Sequence, residues 1–233
     1  MYEAQYKNYN ADFVMYELLL DKKFPVVEFG SGTGRITLHL LSRGFTVYGI
    51  EKEEEYRDYL MENVKLESSL GKFKFIKSIS EIDFPCYVIF PFNVLFFLND
   101  IELERELQKV SEIPFKKIIF ETDNIFNLSE DNFLTKQNRC DDKIFNETVE
   151  YRGETVFIKN EITQGDNVVL KFSYTLFLHH ARKLLKLFKT YFKQFICYGD
   201  FYLSNYTRHS TKLIVVVEKT DNIECDSTNK PNS

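Results

Sequence analysis

The densest run of chemistry-bearing residues in this chain is Glu28-Phe29-Gly30-Ser31-Gly32-Thr33-Gly34-Arg35, with Glu51 closing the apolar segment that follows. Alternate glycines let a backbone reverse sharply and approach a ligand with no Cβ in the way, and a helix starting there points its free amides at that ligand. A dinucleotide site asks for G-x-G-x-x-G, but Arg35 stands where the third glycine, which lets helix and strand pack closely, belongs. Glu28 argues the same way, because a carboxylate at a strand end repels a pyrophosphate and suits a ligand with an ammonium group. Glu51, at a second strand tip, is placed to accept both hydroxyls of a ribose, through charge-assisted bonds of about 1.5 to 3 kcal/mol each. The ligand so described has a ribose and a cationic amino acid end, and no phosphate.

The elements that must hold these residues follow from periodicity. Asp12 to Lys22 reads as a helix with Asp12 as N-cap. Phe24 to Phe29 is a strand running into the glycine turn, and Ile36, Leu40 and Leu41 mark a helix stopped by Gly44. Phe45 to Ile50 is a second strand and Glu53 to Ser68 the next helix, completing a right-handed βαβ unit. The alternation continues with strands at Phe73 to Ile76 and Tyr87 to Phe90, a helix at Ile101 to Ser111 and a strand at Lys117 to Glu121. Such alternation implies a mainly parallel sheet covered on both faces. From Phe145 to Leu178 two strand-like runs meet at Gln164-Gly165-Asp166-Asn167 with no helix between them, which predicts an antiparallel insertion or lid. A basic amphipathic helix at Ala181 to Phe192 and strands at Phe195 to Tyr198 and Leu213 to Lys219 complete a single domain over 1–219, and the polar, aperiodic 220–233 reads as a disordered tail.

A phosphate-free nucleoside with a cationic amino acid end is S-adenosylmethionine. EFGSGTGR followed by VYGIE resembles the first motif and following acid of class I S-adenosylmethionine-dependent methyltransferases. FPCYVIFPFNVLFFLND is similar to the fourth strand and loop of their small-molecule branch, and YGDFYLSNYTRHSTKLIVVVEK to their last two strands. The insertion is similar to that of enzymes methylating sugar amines, amino acids and natural-product intermediates. The resemblance implies a Rossmann-like, doubly wound, seven-stranded sheet with an antiparallel last strand and the β insertion over the active site. It implies cofactor contacts from Glu28, Gly30, Ser31, Gly32, Gly34, Arg35, Glu51, Lys52, Pro91 and Asn93. A tyrosine-bearing leader folds over the methionine end in that family, so among Tyr2, Tyr6 and Tyr9 the preferred candidate is Tyr9, whose ring would attract a sulfonium by roughly 0.5 to 2 kcal/mol. Where the family often has an acid for the adenine amino group this chain has Ser78, leaving adenine to backbone groups and Ile79.

Each assignment has a structural alternative. Arg35 caps or braces its helix, Asn93 bonds backbone in a turn, and the tyrosines pack the first helix. A sulfonium already activates its methyl, so an in-line approach is the main requirement and a general base is optional. His180, Tyr9 and Glu121 are the candidates for one; a surface or core role weighs more for His179 and His180, since alternation sends only one of them toward the cleft.

Composition narrows the partners. Thirty basic against thirty-five acidic residues give a net charge of -5, without the cationic field that holds nucleic acid. The four cysteines are far apart with no clustered histidines, which predicts a reduced chain and no metal. The amino terminus lacks the pattern of a signal peptide and KLLKLFK reads as a solvated face, so the expectation is a cytoplasmic protein without membrane contact. A soluble small molecule, an amino sugar, amino acid derivative or biosynthetic intermediate methylated on N or O, is the expected acceptor. The competing readings are an RNA or protein acceptor, disfavoured by PFNV in place of an NPPY-like tetrapeptide, and a non-catalytic cofactor-binding scaffold. The chain is expected as a monomer, or as a homodimer paired through the insertion's edge.

Overall fold

A computed structural model describes residues 9–66, 71–125, 133–140 and 142–219. Eleven strands and five α-helices are described, in the order α1 (Phe13–Leu19), β1 (Val26–Phe29), α2 (Arg35–Ser42), β2 (Thr46–Ile50), α3 (Glu54–Leu66), β3 (Lys72–Phe75), β4 (Cys86–Phe90), α4 (Asp100–Glu112), β5 (Phe115–Asp123), β6 (Phe133–Cys140), β7 (Lys143–Arg152), β8 (Thr155–Gln164), β9 (Asn167–Phe177), α5 (Ala181–Tyr191), β10 (Ile196–Tyr198) and β11 (Lys212–Glu218). Seven strands form one sheet in the order β10-β11-β5-β4-β1-β2-β3. β1 through β5 run parallel, while β11 is antiparallel to both β5 and β10. The predicted doubly wound sheet with an antiparallel last strand is the one observed.

β1 (VVEF) and β4 (CYVIF) are buried at every position because helices cover both faces of the sheet. Alternation sorts their side chains. Val27, Val88, Phe90, Ile118 and Phe120 pack on one face against Leu103 and Leu107 of α4 and Leu184 and Phe188 of α5. Val26, Ile89, Ile119 and Ile214 pack on the other against Met15 and Tyr16 of α1 and Ile36 and Leu40 of α2. Glu28, Glu121 and Asp123 share the parity of this second set, so three acids line the α1 and α2 face at the strand ends. The strand order reverses between β1 and β4, and the crevice outside their carboxyl ends is where open α/β sheets bind ligands.

Three expectations need correction. The insertion starts at Phe133 rather than Phe145 and has four strands in the order β6-β7-β8-β9. The run ETVEYRGETVFIKNEI is two strands, because Gly153 at φ 63° turns the chain between Arg152 and Thr155. Asp12 holds the N-cap position, but its backbone is in the α region and its side chain makes no capping bond, and α1 stops at Leu19. No helix among the described residues is long and apolar enough to cross a membrane. The predicted tail and Tyr2 and Tyr6 lie outside the described residues.

Candidate functional site

β1 delivers the chain into a turn at the crevice. Gly30 and Ser31 both donate to the Ile50 carbonyl, at 2.8 and 3.2 Å, which ties the turn to the tip of β2. Gly30 adopts φ 65°, and a Cβ there would come within 2.5 Å of Val94 Cγ2, so only glycine lets the loop after β4 close against the turn. At Gly32, with φ 53°, the nearest atom to an added Cβ is 3.8 Å away. The apex of the turn is thus bare backbone facing open space. Gly34, also left-handed at φ 97°, packs against Leu60 and launches α2.

Glu51 sits beside this apex. One of its oxygens accepts the Gly32 amide at 2.8 Å and the other the Glu53 amide at 2.9 Å. Arg57 braces the same corner by donating to the carbonyls of Glu51 and of Lys52, whose side chain is exposed. A carboxylate has about four acceptor positions, so two remain for hydroxyl groups. The Ser31 hydroxyl is buried with no hydrogen-bond partner, against Gly49 in β2. An orphaned hydroxyl and a fixed carboxylate with two acceptor positions to spare, beside bare glycine backbone, suit the polar groups of a nucleoside, and S-adenosylmethionine fits this set. Glu51 would hold its ribose, and the backbone from Gly30 to Gly34 its amino acid end.

Glu28 is 2% exposed and accepts a 2.5 Å bond from Thr37 of α2. Burial pushes its carboxyl up to about 8, against the opposing pull of the Thr37 hydrogen bond. It braces the turn from beneath, and direct contact with a ligand's ammonium group, expected from sequence, does not survive that burial. Ile79 is also sealed in the core, at 0% exposure, and Ser78 caps the short 3-10 turn Ile79–Glu81 by accepting the Ser80 amide. The Ile79 side chain is thus out of a ligand's reach, and the expectation for adenine narrows to the backbone groups.

Around the tip of β4 the structure gathers residues that sequence reasoning kept apart. Pro91 is buried, and Phe92 and Asn93 take left-handed angles, φ 48° and 61°. Such conformations cost about 1 to 3 kcal/mol each in non-glycine residues and persist where neighbours enforce them. The enforcing neighbour is Glu121, fully buried, which accepts the Phe92 amide at 2.8 Å, the Tyr16 hydroxyl at 3.3 Å and Lys212 Nζ at 3.4 Å. Burial raises its carboxyl above the usual range, opposed by Lys212. Sealed in this way, Glu121 is a brace rather than the general base proposed from sequence. Asn93 exchanges bonds with Asp123, donating to Oδ2 at 2.9 Å and accepting the Asp123 amide at 2.6 Å. Its side chain thus ties the loop after β4 to the end of β5 rather than bonding within its own turn.

Tyr9 reaches this cluster, its ring edge-on to Phe92 at 5.3 Å. Burial, partly offset by Lys212, raises its phenol, so it stays protonated at neutral pH. Arg35 lies within 5.2 Å of the Tyr9 ring and 4.9 Å of the Phe92 ring, and binds Asp12 and the Tyr9 carbonyl. It is therefore engaged with the amino-terminal segment. His180 lies elsewhere, at the start of α5 and 3.8 Å from Glu154, while buried His179 bonds the Leu98 carbonyl at 2.8 Å. Asp12, Tyr16, Phe92, Asp123 and Lys212 escaped sequence reasoning. For Asp123 a signal existed: counting by twos from Ile119 puts it on the face of Glu121.

No family model matches the chain. Among curated proteins, an uncharacterized methyltransferase of Bacillus mycoides is 35% identical over 130 residues, a match spanning 53% of this chain and 59% of the relative. The match thus spans about three-fifths of the relative's length. Among solved structures, the CcbJ methyltransferase of Streptomyces caelestis superposes with a TM-score of 0.75 at 18% identity, over 91% of this chain and 90% of that one. CalS10 of Micromonospora echinaspora, an amino pentose methyltransferase solved with S-adenosylmethionine bound, gives 0.65 at 14% identity over 94% and 96%. These superpositions cover nine-tenths or more of both chains, and the chain has the fold of the class I S-adenosylmethionine-dependent methyltransferases.

Proposed function

We propose that this protein is an S-adenosylmethionine-dependent methyltransferase that alkylates nitrogen or oxygen of a soluble small molecule, an amino sugar, an amino acid derivative or a biosynthetic intermediate. The observation that carries the proposal is Glu51, fixed by the Gly32 amide at 2.8 Å with acceptor positions to spare, beside the glycine turn at the reversal point of the sheet. Support for the acceptor class comes from CalS10, an amino pentose methyltransferase. S-adenosylmethionine, when bound, supplies an activated methyl group. The protein's part is positional: Glu51 and the glycine turn orient the nucleoside, and Tyr9 and Phe92 exclude water from the methyl's path. Holding two reactants in line can lower a barrier by about 7 to 11 kcal/mol.

Calorimetric titration with S-adenosylhomocysteine, followed by a radiolabelled-methyl screen of small amines and alcohols, tests this reading. Binding with label transfer supports it, and an inert crevice removes it. Binding without any acceptor, including RNA and protein, would favour the scaffold reading instead.

A further inference from the structure

Two residues beyond Glu121 on the same strand face, Asp123 stands where β5 opens onto the crevice. It is the last residue of β5, and unlike its buried neighbour its side chain is 53% exposed. It is also immobilised. Asn93 grips Oδ2 from the loop after β4, and Lys212, directly across the β5–β11 ladder, lies 2.8 Å from Oδ1. These donors use two of about four acceptor positions, and the exposed remainder is available to a ligand. Lys212 divides its single charge between Asp123 and Glu121, so one ammonium faces two carboxylates. The rings of Phe92 and Phe201, 6.0 and 5.2 Å from its Nζ, help to hold this ammonium in place. A fixed, half-exposed carboxylate with spare acceptor positions is complementary to a positively charged group.

We propose that Asp123 receives the methyl acceptor, and that the acceptor presents an amine to it. This rests on the methyltransferase reading above. The acceptor arrives as an ammonium ion, pairs with Asp123 and releases one proton to water. The nitrogen lone pair then forms the N–C bond as the C–S bond breaks, and that bond's electron pair stays on sulfur. Positive charge passes from sulfur to nitrogen, where Asp123 balances it, and the products are a methylated ammonium and a neutral thioether. Asp123 orients the acceptor and stabilises the migrating charge without having to take the proton.

The test uses the full chain. S-adenosylhomocysteine affinity is measured first for wild type, Asp123→Asn and Asp123→Glu. Label transfer from S-adenosylmethionine is then followed to glucosamine, cyclohexylamine and phenethylamine, and to glucose, cyclohexanol and phenethyl alcohol as shape-matched alcohols. The expected result is label in amines and not in alcohols, with at least a tenfold rise in amine KM for Asp123→Asn, partial recovery in Asp123→Glu, and unchanged S-adenosylhomocysteine affinity. Asparagine keeps the bond to Asn93 at a half-exposed strand end, and melting curves verify the fold. Equal labelling of alcohols, label in neither set, or an unaltered amine KM in Asp123→Asn overturns the assignment. Failure of the wild type to bind S-adenosylhomocysteine overturns the cofactor reading instead.

Discussion

Arg35 and Asp12 meet as a two-pronged pair, NH1 to Oδ1 at 2.6 Å and NH2 to Oδ2 at 2.7 Å, with the carboxylate side chain fully buried and the guanidinium side chain 8% exposed. The first residue of α2 thereby holds the residue just before α1, and the Tyr9 carbonyl adds a third bond at 3.2 Å. Removing one member of a buried pair strands the other's charge, at a typical cost of about 3 to 5 kcal/mol. Asp12→Ala should lower unfolding stability by that order in urea titrations. The double substitution Asp12→Leu with Arg35→Met should recover most of the loss, and equal losses in single and double variants would contradict the pair's role.

Glu51 links the cofactor crevice to the glycine turn through Gly32. Glu51→Ala should weaken S-adenosylhomocysteine binding at least tenfold by calorimetry, equivalent to about 1.4 kcal/mol. Unchanged affinity in a folded variant would withdraw the ribose assignment.

The glycines of the turn should separate stability from binding. Gly30→Ala places a methyl against Val94 in a left-handed conformation and should lower the melting temperature, with the steric share recovered by Val94→Ala. Gly32→Ala meets no atom nearer than 3.8 Å and carries only the left-handed backbone penalty of φ 53°, so it should cost less melting temperature than Gly30→Ala while also weakening cofactor affinity. A Gly32→Ala protein that binds normally would show that the turn's apex does not face the ligand.

Buried acids set the pH dependence. Between the ordinary value of 4.5 and about 8, folded Glu28 holds a proton that the unfolded chain releases. Its contribution to stability is therefore complete below about 4.5 and lost as pH rises through 8, with a slope of at most about 1.4 kcal/mol per pH unit. Glu121, also raised by burial, acts in the same direction. His39 and His179, lowered by burial, pull the other way, so the readout is the difference: from pH 5 to pH 8 wild type should lose more urea resistance than Glu28→Gln, which can still accept from Thr37. Identical slopes would mean that Glu28 ionises normally in the folded protein.

The order of strands and helices from Val26 to Asp123 was legible in the amino-acid sequence, because apolar periodicity and glycine placement are local properties of the chain. The glycine turn and Glu51 were legible for the same reason: a motif of fixed spacing between a strand and a helix needs no distant residue to complete it. β6 was not, since FLTKQNRC has little apolar alternation, and its assignment as a strand comes from its ladder with β7. What Glu28, Glu121, Asn93 and Arg35 do was decided by residues 9, 105, 30 and 23 positions away: Thr37, Tyr16, Asp123 and Asp12. Sequence establishes that an acid or a base is present; whether it is exposed to a ligand, sealed as a brace or neutralised by a partner depends on burial and on long-range neighbours, which only the packed sheet and its helices bring within hydrogen-bonding distance.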